Sequence, residues 1–149
     1  MAAIKNEHST VPAEKSINEI EKALVGIGAR KISKEYDSEG RLSALSFQAP
    51  VNGGATANFL LPARVDACFR VLMDQYTRPT EKSLQNARNQ AERTAWRIIA
   101  DWVKAQAAII QLEQAEFAQV FLPFVYNPET GQTLYEIAKA RGFQNLIES

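Results

Sequence analysis

The chain has 149 residues, 17 Lys plus Arg against 17 Asp plus Glu, and 46% apolar residues. That length fits one domain with a core that needs no staples. The balance excludes wholesale disorder, and it excludes the excess of basic residues that marks a non-specific polyanion binder. One cysteine, Cys68, and one histidine, His8, leave no intrachain disulfide, no Cys-based zinc site, no two-His metal motif and no convincing Cys–His pair. No metal or cofactor is expected. No apolar run reaches the ~18–20 residues that span a bilayer, and no secretory signal opens the chain. A reduced, cytoplasmic setting is expected.

Residues 1–15 are polar and read as a flexible lead, with 16–149 as a single α+β domain. Ser16 and Glu19 have the spacing of a capping box, in which the hydroxyl and the carboxylate each satisfy a backbone amide. Ile17, Ile20, Ala23 and Leu24 follow at helical spacing, and Gly26 and Gly28 stop a helix placed at about 16–25. Residues 29–36 alternate as a strand, with Ile32 and Tyr36 on one side. Asp37-Ser38-Glu39-Gly40 is a turn, and 41–49 returns with Leu45 and Phe47 on one face. After a loop at 50–54, residues 55–61 make a third strand carrying Ala57, Phe59 and Leu61. The three runs predict an antiparallel meander.

Pro62 is read as the first turn of a helix with a stripe of Val65, Phe69, Leu72 and Met73. Thr80 then caps the strongest element of the sequence. From about 81 to 112 there is no Gly or Pro, which predicts one helix of about 30 residues and roughly 45 Å. Its apolar stripe is read as Leu84, Ala87, Ala91, Ala95, Ile98, Trp102, Ala105 and Ile109, broadened by Trp96, Ile99, Val103 and Ile110, with Trp96 at the border. A shorter helix at 114–121, a turn at 127–131 and a helix at 133–141 complete the chain, with Gly142 and Phe143 as its stop.

Charge is uneven. Residues 78–104 carry six basic side chains against three acidic ones, and 111–149 two against five. The plain reading is that these two stretches neutralise each other. The functional reading is a ridge of Arg88, Arg93, Arg97 and Lys104 that meets phosphates or an acidic protein. Trp96 beside it would offer a stacking or hot-spot surface if exposed, against the plain reading of core burial. Arg30, Lys31, Lys34 and Arg41 form a second candidate surface, most simply a solvated strand face. Asn52-Gly53-Gly54 lacks the context of a phosphate loop and is read as a hairpin loop. No catalytic constellation emerges. Cys68 reads as a small buried hydrophobe, and Glu113 and Glu116 as surface residues.

GIGARKISKEYD (26–37), FLLP (59–62), QAERTAWRIIADWVKAQAAII (90–110), VFLPFV (120–125) and GQTLYE (131–136) together resemble a family of small uncharacterised proteins of bacteriophages, prophages and other mobile elements. The resemblance covers about residues 16–137 and places Gln90, Glu92, Arg93, Trp96, Arg97, Asp101, Trp102 and Gln106 among the shared positions. It implies a host–phage setting and no particular activity. The expected function is non-enzymatic binding to nucleic acid or to nucleic-acid-processing machinery. The alternatives are an inhibitor that docks on a host antiviral defence protein, and a small-nucleotide sponge using Arg30, Lys31 and Asn52. The partner is thus nucleic acid or a host or phage protein, with no membrane, and a second copy of the chain is a further candidate to cover the long helix.

Overall fold

In the computed structural model, residues 4–52 and 54–147 are described. The order is α1 (Ala13–Gly26), β1 (Arg30–Tyr36), β2 (Leu42–Asn52), β3 (Ala55–Pro62), α2 (Val65–Met73), α3 (Glu81–Gln111), α4 (Phe117–Phe121), a 3-10 turn (Leu122–Phe124), α5 (Leu134–Ala140) and α6 (Gln144–Ile147). This is an α+β fold: an N-terminal helix, a three-stranded antiparallel sheet in the order β1-β2-β3, and a helical half containing one 31-residue helix. The chain forms two compact units. The first takes residues up to Leu24 and Ala63–Ala107, and the second takes Val25–Pro62 and the residues from Ala108 onward.

In the first unit, α1 begins at Ala13, three residues before the expected cap. Ser16 therefore lies inside the helix and is fully buried, its Oγ without a hydrogen-bond partner among the described residues. The capping box does not form, because the Glu19 carboxylate is taken up by cations of α3. Residues 4–12, read from sequence as a flexible lead, are tied to α3. Thr94 Oγ1 donates to the Asn6 carbonyl at 2.8 Å, and Gln90 Nε2 donates to the Ser9 carbonyl at 3.0 Å. Thr80 does cap α3: the Ser83 amide donates to its Oγ1 at 3.1 Å, and Ser83 Oγ receives the Thr80 amide at 2.6 Å.

The long helix is unbroken, but its buried face differs from the expected stripe. Ala87, Ala91 and Thr94 are buried in its first half; Trp96, Ala100, Val103 and Ala107 are buried in its second. At 100° per residue these two sets lie roughly half a turn apart. Between them Thr94, Ala95, Trp96 and Arg97 are all buried, so the helix is enclosed on every side at that point. A single stripe drawn straight through puts Trp102 at the centre and Trp96 at the edge. The structure reverses them: Trp96 is fully buried, while Trp102 is only half-buried and Ile109 is exposed.

In the second unit, β2 is the central strand, and Ala44, Leu45, Ser46, Phe47 and Ala49 are all buried along it. It pairs with β3 in the register Leu45↔Leu61, Phe47↔Phe59 and Ala49↔Ala57. Pro62 is the last residue of β3 rather than the first turn of a helix. The β1 strand is an edge, and its register with β2 slips between Arg30 and Ser33, where Lys31 adopts φ +51°. The slip spoils the expected alternation; Ile32 is half-buried and Tyr36 is exposed. The β3 edge is partly covered, since the Tyr126 amide donates to the Asn58 carbonyl at 2.9 Å. Phe47 and Phe59 stack at 5.3 Å, and Phe117 and Phe121 of α4 meet them edge-on at 5.3–6.4 Å. This aromatic cluster is the core of the unit and fixes α4 on the sheet.

Candidate functional site

The ridge expected along α3 is used inside the first unit. Arg97 is buried, with 8% of its surface exposed. Its guanidinium forks onto Glu19, with Nη1 to Oε2 at 2.9 Å and Nη2 to Oε1 at 3.1 Å, and Nη2 reaches Asp101 Oδ1 at 3.4 Å. Lys104 donates to Glu19 Oε1 at 2.7 Å. Asp101 in turn accepts from Asn6 Nδ2 at 3.0 Å and faces Lys5 Nζ at 3.4 Å. A bidentate Arg–carboxylate pair of this kind leaves few guanidinium donors for a phosphate. Trp96 is fully buried, so its ring cannot stack on a base or form a hot spot. Arg97 and Trp96 are thus held inside the first unit, and Lys104 pairs with Glu19 while its side chain stays 43% exposed.

The carboxylates titrate accordingly. Hydrogen bonds from Arg97 first and Lys104 second hold the Glu19 carboxyl down, from 4.5 to about 2. The hydrogen bond from Asn6, with the charges of Arg97 and Lys5, lowers Asp101. A carboxyl whose folded value is depressed contributes stability above its unfolded value and loses it as pH falls through the folded one. Unfolding free energy should thus decline between about pH 5 and about pH 2, by about 1–2 kcal/mol from Glu19 after solvent screening. Thermal melts across that range test this, and Glu19→Gln should flatten the acid limb; parallel limbs for the two proteins would contradict it.

Arg93 and Arg88 are the remaining cations of the ridge. Arg93 donates from Nε to the Ser9 carbonyl at 3.3 Å and from Nη2 to Gln90 Oε1 at 2.7 Å. It borders an open depression of about 500 Å³ shared with Asn89, Glu92, Glu14 and Thr10. Two carboxylates in that lining weaken its appeal to an anion. The Arg88 guanidinium sits 4.4 Å above the Phe69 ring, a cation–π contact.

On the second surface, Arg30, Lys31 and Lys34 are exposed along β1, and Arg41 is half-buried at the end of the turn. The Arg41 amide donates to Asp37 Oδ1 at 2.9 Å, so its backbone belongs to the hairpin turn. In the 52–54 loop, Gly53 and the Asn52 side chain lie outside the described residues, while Gly54 has φ +87°.

Sequence reading missed an apolar groove in the second unit. The Thr133 hydroxyl caps α5 by accepting from the Glu136 amide at 3.1 Å, and the Glu136 carboxylate answers to the Thr133 amide at 3.0 Å. This starts α5 with Leu134, Ile137, Ala138 and Arg141 on one line, at helical spacing. The helix stops at Gly142 and Phe143, with φ of +62° and +60°, and the Phe143 amide donates to the Ala138 carbonyl at 2.8 Å. That stop turns Phe143 back so that its ring lies 6.0 Å from Tyr135. Leu122 and Pro123 of the 3-10 turn and Leu146 of α6 line the same groove. The resulting groove encloses about 310 Å³, and among the described residues Arg141 is its only charged lining residue. Its rims remain uncovered: Leu122 is 51% exposed, Tyr135 47% and Leu146 75%. The signal available in sequence was the crowding of Leu134-Tyr135 and Leu146-Ile147 onto helices too short to bury them.

Burial pushes the Cys68 thiol up, the opposite of what a thiolate nucleophile requires. Among the described residues, no group of three metal-binding side chains exists, and no helix is long and apolar enough to cross a membrane. Compared with known proteins, the chain matches no protein-family model, no curated protein and no solved structure.

Proposed function

We propose that the chain is a non-enzymatic docking protein that acts on a partner protein through the groove between the 3-10 turn, α5 and α6. The observation that carries this reading is the groove itself: an apolar trough with uncovered apolar rims, which in a monomer marks an interaction surface. The burial of Arg97 and Trp96 and the pairing of Lys104 with Glu19 weaken the support for direct phosphate binding by α3. The resemblance to proteins of phages and mobile elements then points to a host protein as partner, with inhibition of a host defence factor as the outcome.

A photo-crosslinking amino acid at Tyr135, with one at the exposed Lys22 as control, tests this in bacterial cells. A discrete protein adduct should form from position 135, not from 22, and vanish with Leu146→Asp. Absence of any groove-dependent adduct would overturn it. A second reading, contact with nucleic acid, is favoured by the exposure of Arg30, Lys31 and Lys34. It requires affinity that falls steeply with salt and is lost on charge reversal of those three residues.

A further inference from the structure

The groove of the second unit carries more than an apolar label. Among the described residues its lining holds one cation, Arg141, and no carboxylate. Arg141 has no carboxylate within ion-pair distance among the described residues. Lys139, the other basic residue beyond position 111, is exposed on the last turn of the same helix. The positive charge therefore stands at one end of an otherwise apolar trough, about 10 Å along α5 from Leu134. A buried small ligand would have most of its surface enclosed. Here the exposed faces of Leu122, Tyr135 and Leu146 lie on the rim, where only a wider occupant covers them.

We infer that the groove receives an amphipathic helical segment of a partner protein whose apolar face ends in a carboxylate, held by Arg141. Resting on the docking reading above, this commits the partner's chemistry: apolar anchors at three- and four-residue spacing fill the trough, as in other helix-in-groove complexes. An Asp or Glu beside the last anchor meets the guanidinium in bidentate fashion. The charge sets specificity as much as affinity, because a basic residue at that place would face Arg141 unpaired.

Selection of a display library of random peptides of about 15 residues on the immobilised full chain tests the inference. Enriched sequences should combine helically spaced apolar residues with Asp or Glu one turn from an end. Their binding should be lost with Leu134→Asp and with Leu146→Asp, two exposed positions, while an unchanged thermal melt of each variant shows the fold kept. Arg141→Glu should weaken the acidic peptides at least about tenfold and favour versions carrying Lys instead. Apolar peptides enriched without any acidic preference would overturn the carboxylate inference while leaving the groove a docking surface. Enrichment indifferent to Leu134 and Leu146 would overturn the inference as well, and the docking reading then stands or falls on the crosslink from position 135.

Discussion

Arg97→Ala should lower the unfolding free energy by about 2–4 kcal/mol, and a thermal melt should show it as a fall of roughly 5–12 °C. The size follows from what is left behind. Glu19 and Asp101, with side chains 29% and 32% exposed, lose the guanidinium that neutralises both of them. Removing one partner of a buried ion pair costs more than the pair itself contributes, because the remaining charges stay desolvated. Partial exposure of the two carboxylates keeps the loss below that of a fully buried pair. Lys104 at 2.7 Å from Glu19 compensates in part. Since the whole network lies in the first unit, amide exchange should accelerate in α1 and the middle of α3. Affinity for single-stranded DNA or RNA at low salt should not depend on Arg97 at all. A variant that kept its stability and lost nucleic-acid binding would reverse the assignment of this residue.

Phe59→Ala should be at least as costly, about 3–5 kcal/mol, and its consequences belong to the second unit. The ring is fully buried, stacked on Phe47 and met edge-on by Phe117 and Phe121. Its deletion removes a large apolar area, several aromatic contacts and the partner that α4 rests on. The backbone of the same strand holds the segment leading into the groove, through the hydrogen bond from Tyr126 to Asn58 and the bridge of Phe59 with Val125. Phe59→Ala should therefore also weaken crosslinking from position 135. Phe59→Leu, which keeps most of the volume, should cost about 1–2 kcal/mol. Near-neutral stability for the alanine variant, in chemical denaturation, would show that the aromatic cluster does not hold the unit together.

Much of the architecture was legible because it rests on local signals. The helix over 81–111 follows from an absence of breakers and a Thr80 cap, and the meander follows from alternation and a Gly40 turn. What failed was what depends on distant residues. Glu19 and Arg97 are 78 positions apart, and nothing near Glu19 distinguishes an ion-pair partner of α3 from the second half of a capping box. Trp96 was placed at the border because one straight stripe was assumed, whereas α3 changes its buried face at Thr94–Arg97. The groove was missed for a third reason. Periodicity finds helices that bury a face, while α5 and α6 are short and leave Tyr135, Leu146 and Ile147 outside.

The most direct measurement is a double-mutant cycle on Glu19→Gln and Arg97→Met, read by chemical denaturation at neutral pH together with single-stranded nucleic-acid binding at low salt. Internal use of the α3 cations predicts a coupling of about 1.5–3 kcal/mol between the two sites and no change in binding. Additivity within about 0.5 kcal/mol, together with loss of binding in the Arg97→Met protein, would show instead that the guanidinium serves a ligand.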